Sequence, residues 1–214
     1  GPKYFYSFTI LAVILNVGSY FFSDSIILKM YRAKEVNATD HPWLHEVVAE
    51  LAQKAGIPKP KICIIQEETP NAFATGRNPA KGVIAITSGI QKILNRRELR
   101  GVLAHEMAHI KNRDTLIATI AAVIATTISY ISNIFQWTSL LGGQNNEEKG
   151  SPLAGIVMAL LAPFIAMLIQ FGISRSREYY ADSTGALLSG DPEALASALE
   201  KLDNFSLQKN HNEE

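Results

Sequence analysis

Two stretches of this sequence, residues 115–146 and 151–174, contain no Asp, Glu, Lys or Arg, while most of the charge falls between residues 29 and 114. A helix of about 20 apolar residues crosses about 30 Å of hydrocarbon, so uncharged runs of this length limit the possible folds more than any other feature. A third uncharged run, residues 4–23, has Tyr and Phe at both ends, as interfacial anchors would. All three are expected to be membrane-spanning helices. Residues 116–141 and 153–173 would form a helical hairpin across the polar link at residues 142–148; the other reading of that pair is a buried core hairpin in a soluble protein. The first run lacks the short apolar region and small-residue cutting site of a cleaved signal peptide. Gly1-Pro2 is set aside as an expression remnant.

Cations give the expected orientation. Lys29, Arg32 and Lys34 follow the first run, Lys111 and Arg113 precede the second, and Arg175 and Arg177 follow the third. The hairpin tip holds Glu147, Glu148 and Lys149, so positive charge inside places the tip outside. The expected layout is an N-terminal span at 4–28, a cytoplasmic segment at 29–115, the hairpin at 116–174 and a second cytoplasmic segment at 175–214, the two cytoplasmic pieces forming one domain. With 20 Lys+Arg against 20 Asp+Glu there is no basic excess to neutralise phosphates, so no nucleic-acid partner is expected. Hydrophobic residues at 47% exclude intrinsic disorder. Cys63 stands alone inside an apolar run and is read as a core residue.

The soluble pieces read as mainly helical with a small sheet. Asp40 is a candidate cap for a helix with Trp43, Leu44, Val47, Val48 and Leu51 on one face and Gly56 as its stop. Residues 61–66 and 82–87 are short β-branched runs bounded by Pro and Gly, and so strands. Between them, Asn71, Ala72, Phe73, Ala74, Thr75 and Gly76 suit an edge strand or loop. Ser88 opens a short helix to Leu94. Asn95 with Glu98 makes a capping-box start for another helix, expected to run on into the second uncharged stretch. Asp191-Pro192-Glu193 starts a last helix to about Leu202, followed by a polar tail at 204–214.

On that middle helix lies His105-Glu106-Met107-Ala108-His109. Residues i and i+4 stack on one helix face, so both imidazoles can reach one Zn²⁺, and Glu106, about 100° around, can act as general base without ligating. The plain alternative is two surface histidines and a solvated glutamate. A catalytic zinc needs a third protein ligand and an open position. Glu178 is the candidate, because a hairpin that starts just after His109 and ends just before Glu178 returns the chain to one surface. Asp182, one turn further, could hold a ligating imidazole by its free nitrogen. Charge pairing of Glu178 and Asp182 with Arg175 and Arg177 is the other reading. His41, His45 and His211 read as surface residues.

Together these features resemble the HtpX family of membrane-embedded zinc metalloproteases, within the clan that includes the CAAX prenyl proteases. The likeness rests on the N-terminal run, the Asn71 to Gly76 segment, the His-Glu-Met-Ala-His pentapeptide, the paired runs and Arg177-Glu178-Tyr179-Tyr180-Ala181-Asp182. It implies a zincin-like domain with one zinc per chain on His105, His109 and Glu178, and Glu106 as catalytic base. It also implies a cleft bordered by Asn71, Ala72, Phe73, Ala74 and Thr75, where an extended substrate could pair. The implied function is cleavage of misfolded or surplus membrane proteins at the cytoplasmic face of a bacterial or archaeal plasma membrane. Family members usually begin with two spans and continue past this end with a segment containing a His-Pro pair and an Arg, so a shortened chain is expected. Tyr179 and Tyr180 are interface anchors or oxyanion donors; the oxyanion donor is left unassigned. Competing functions are a prenyl-protein protease and a non-catalytic zinc-binding membrane scaffold.

Overall fold

A computed structural model of the chain describes residues 25–141 and 152–212. The expected first span, at residues 4–23, and the hairpin link at 142–148 lie outside the described residues. Four strands, β1 (Lys34–Glu35), β2 (Lys61–Ile65), β3 (Ala72–Thr75) and β4 (Val83–Thr87), form one sheet in the order β1-β2-β4-β3. The helices are α1 (Pro42–Ala55), α2 (Ser88–Ile93), α3 (Arg96–Lys111), α4 (Asp114–Leu141), α5 (Pro152–Ser189) and α6 (Pro192–Asn212). β2 and β4 run parallel, with Ile62 opposite Ile84, while β1 and β3 join antiparallel at the two edges.

Side chains alternate across this sheet, as a two-residue period requires. Ile62, Ile64, Ile84, Ile86, Ala72 and Ala74 face the main core with Val48 and Leu51 of α1 and Leu103 and Met107 of α3. Cys63, Ile65, Val83, Ala85 and Phe73 face the other way, covered by Leu28 and Ala33, and the Phe73 ring lies 5.5 Å from that of Tyr31. Both faces being covered explains why β2 and β4 are apolar except at Lys61 and Thr87. Each fully buried Leu or Met on α3 contributes about 1.5–3 kcal/mol. That burial fixes the rotation of α3, and with it the direction of the side chains between.

The chain divides into two compact units, Gly1–Leu116 with Arg177–Glu214, and Ile117–Ser176. In the second, many large apolar side chains of α4 and α5 are exposed, among them Ile120, Ile124, Leu161, Phe164, Met167 and Phe171. Thr126 and Thr127 there turn their hydroxyls onto the carbonyls of Ala122 and Val123, four residues back. Among the described residues, no helix is long and apolar enough to cross a membrane.

Several local expectations are corrected. The helix carrying the histidines does not run on into the uncharged stretch: α3 stops at Lys111, Asn112 caps it, and Arg113 takes a left-handed backbone with φ 57 before α4 begins at Asp114. An acid in the first turn of a helix suits its dipole, and this one has a second partner, described below. Asp40 does not cap α1. Pro42, preorganised for the first helical position, sets the start, and Asn37 accepts from the N–H groups of Asp40 and His41. Ser88 opens α2 as expected, and Thr87 caps it, its hydroxyl accepting from Ile90 N–H. His45 is half-buried rather than a free surface residue, with Nε2 at 3.0 Å from the Val36 carbonyl and Nδ1 at 3.0 Å from Lys59 Nζ. The last helix continues to Asn212 instead of ending near Leu202, because Leu195, Ala198 and Leu202 hold one face on the core and Phe205, half-buried, extends that stripe.

Candidate active site

α3 is fastened at its start. Asn95 Oδ1 accepts from Glu98 N–H, and Glu98 Oε2 accepts from Asn95 N–H, each at 2.9 Å. Glu98 also accepts from Ser197 Oγ at 2.8 Å and Lys201 Nζ at 2.9 Å, tying α3 to α6. Burial alone would raise the pKa of this carboxyl, but the donors from Lys201, Asn95 and Ser197 outweigh it and hold it below the ordinary value. Two glycines allow close helix approach. A Cβ on Gly101 would stand 2.7 Å from Leu195 N, and one on Gly185 of α5 would stand 3.0 Å from His105 Cα.

That second contact brings α5 against the face of α3 that carries the imidazoles. His105 and His109 lie edge to face, ring centroids 4.6 Å apart, with their Nε2 atoms 3.0 Å apart. Glu178 Oε2 is 3.6 Å from His105 Nε2 and 3.7 Å from His109 Nε2, and the three donors lie within 4.8 Å of one another. Tetrahedral ligands at zinc distances of 2.0–2.1 Å are separated by about 3.3 Å, so the triangle fits one zinc ion. The donor chemistry agrees. His109 Nδ1 is 2.5 Å from Asp114 Oδ2, and an Nδ1–H donated there leaves a lone pair at Nε2, aimed at the other ring and at a carboxylate. A cation satisfies that convergence.

The two rings are not held alike. His105 Nδ1 is 3.0 Å from Asp182 Oδ1, yet it is buried with no aligned hydrogen-bond acceptor, so Asp182 supplies proximity without a linear bond. Burial, and next the neighbouring His109, push the His105 pKa down. Burial also acts to lower that of His109, but the Asp114 hydrogen bond together with Glu106 and Glu178 makes its net shift upward. Glu106 is buried beside the donor cluster, and burial pushes its carboxyl up to about 7, against the pull of His109 and of a backbone N–H from Ala74. The exposed Glu178 marks the open side, 55% of its side chain being accessible.

The five residues predicted to meet substrate divide. Thr87 N–H donates to the Asn71 carbonyl, so with the β3–β4 register the backbone groups of Asn71, Phe73 and Thr75 face β4. Those of Ala72 and Ala74 point to the free edge. The Phe73 ring lies on the sheet face away from α3, and Thr75 is buried. Tyr179 and Tyr180 are both exposed, rings 6.0 Å apart. Sequence reasoning missed Asp114. The available signal was an acid five residues after a ligand-type histidine, across an Asn-Arg step able to end a helix.

The family model of peptidase family M48 matches residues 38–211. The chain belongs to peptidase family M48. This M48 chain is 51% identical over 205 residues to "Protease HtpX homolog" of Aquifex aeolicus, the alignment covering 93% of this chain and 68% of that relative. It is 52% identical over 203 residues to the protein of the same description from Syntrophobacter fumaroxidans, covering 93% and 72%. With the one from Pyrococcus furiosus it shares 52% over 198 residues, covering 92% and 68%. It thus spans about two thirds of the length of these relatives. The crystal structure of S. mikatae Ste24p shares its fold, with a TM-score of 0.58 at 20% identity, over 94% of this chain and 52% of that one. Family membership makes the M48 chain a zinc metalloprotease, and among the described residues His105, His109 and Glu178 are the group able to hold such an ion.

Proposed function

We propose that this M48 chain is an integral membrane zinc endopeptidase that cleaves misfolded or surplus membrane proteins at the cytoplasmic face. The convergence of His105 Nε2, His109 Nε2 and Glu178 Oε2 next to the buried Glu106 carries the catalytic part of this reading. The membrane part rests on the two uncharged stretches and on the apolar side chains that α4 and α5 leave exposed. Lys111, Arg113, Arg175 and Arg177 flank those stretches on the site's side and support its cytoplasmic placement.

Zinc held by these three residues would supply a Lewis acid for the scissile carbonyl and would make the attacking water more acidic. Glu106 takes the proton from that water and passes it to the leaving amine. Buried beside the three donors, this carboxyl is placed to do both. The substrate backbone lies extended along the free edge of β3, meeting the outward groups of Ala72 and Ala74. Asp114 and Asp182 flank the imidazoles from behind.

The test is zinc content per chain together with casein cleavage, with and without a chelator, for the chain purified from membranes. One zinc per chain, cleavage stopped by chelation and restored by zinc, and retention of the chain in membranes through alkaline washing are expected. Zinc held while casein and membrane-protein substrates stay intact would favour a scaffold. Cleavage confined to prenylated C-terminal peptides would favour a prenyl-protein protease.

A further inference from the structure

Asp114, at the first position of α4, makes two contacts with the metal-binding residues' supports. Its carboxylate is buried, 6% exposed, and lies 2.5 Å from His109 Nδ1. Its backbone carbonyl accepts from Arg177 Nη1 at 2.9 Å, and Arg177 immediately precedes Glu178 on α5. The residue before Asp114, Arg113, holds a left-handed backbone that side chains other than glycine rarely adopt, and this turn brings both groups of Asp114 into reach. Arg177 is half-buried: its Nε is buried without a hydrogen-bond partner, while its Nη1 makes the Asp114 contact.

We propose that Asp114 and Arg177 form a latch that positions two of the three zinc donors relative to each other. The carboxylate sets the His109 ring, and the carbonyl, through Arg177, sets the turn of α5 that carries Glu178. Both are positioning residues that touch neither substrate nor metal. The inference rests on the reading of His105, His109 and Glu178 as the metal site. α5 has another hold on α3, the close approach of Gly185 to His105 about two turns beyond Glu178. Loss of Arg177 therefore frees the Glu178 end of α5 while leaving the Asp182 end in place. Lysine is a poor replacement, since a compact ammonium on a flexible stem lacks the fixed planar fork.

The experiment uses the full chain and zinc alone, titrated against a chromophoric chelator, with the visible spectrum of the cobalt(II)-loaded protein as a second readout and circular dichroism of the metal-free protein as a check on folding. Arg177→Ala should bind zinc about 10- to 100-fold more weakly, the range for losing an outer partner of a metal ligand, and should change the cobalt spectrum while helix content stays. Arg177→Lys should recover part of the affinity, and Arg175→Ala should match the parent. Asp114→Asn keeps the carbonyl and should weaken zinc through the His109 arm alone. If Arg177→Ala does not fold, Arg177→Lys and Asp114→Asn carry the test. Parental zinc affinity and cobalt spectrum in the folded Arg177 variants would overturn the latch. A parent chain that retains no zinc, or Glu178→Ala binding as tightly as the parent, would instead overturn the metal site itself.

Discussion

Glu98 and Glu106 lie two turns apart on α3, at 3% and 8% exposure, yet they are held in opposite states. Glu98 accepts from Ser197, Lys201 and Asn95 N–H, and its pKa is pulled down in spite of burial. Glu106 has one backbone N–H and a neighbouring imidazole, and burial pushes it up to about 7. Desolvation acts on both in the same direction; the number of donors decides the outcome. A buried glutamate with a full set of partners ties helices together, and one left short of donors beside a metal-type cluster has a proton to trade.

Exchanging each carboxylate separates the two roles. Glu106→Gln is expected to lower peptide cleavage by about 10²- to 10⁴-fold with zinc stoichiometry unchanged. Cleavage that persists, or zinc that leaves with the carboxylate, would put Glu106 in another role. Glu98→Ala should do the reverse. It removes a capping box and a charged hydrogen bond, for a loss of about 2–4 kcal/mol in denaturant unfolding, with cleavage per folded molecule retained. Activity loss without instability there would erase the contrast.

The pH dependence of stability carries the same contrast with opposite sign. Glu98 has a folded pKa below the ordinary 4.5, so its contribution is complete above that value and is lost as pH falls through the lower folded one. Glu106, raised to about 7, binds its proton more tightly when folded. In metal-free protein its penalty is absent below about 4.5 and grows as pH rises to about 7. Unfolding curves should show Glu98→Gln flattening the acid side and Glu106→Gln removing the fall in stability between about pH 4.5 and 7. Glu50 should give the smallest effect. Hydrogen bonds from Arg100 and then Lys54 hold its pKa down at about 2, but the pair is well exposed. Glu50→Gln should cost under about 1 kcal/mol at neutral pH, less in high salt, and the Glu50 share should fade between about pH 4.5 and 2.

What could be read from the sequence followed from local periodicity. The i, i+4 spacing stacks His105 on His109, and the Asn95/Glu98 spacing marks the start of α3. β3 could be read only as an edge strand or a loop, because its mixed composition suits neither a helix nor a two-sided core strand. Which way its side chains point was not, since the Phe73 ring is placed by Tyr31, far away in sequence. Asp114 was hidden because its role depends on a helix break that Asn112-Arg113 permit without requiring. The same holds for β1, two residues whose strand exists only because Ile64 and Cys63 lie alongside. Asp40 misled because a good capping residue stood one position ahead of a histidine and a proline that start the helix themselves.

The Ala74 N–H, turned toward the free edge of β3, is already given to Glu106. A foreign strand laid along that edge finds a spare acceptor at Ala74 but a donor committed elsewhere, whereas Ala72 offers both.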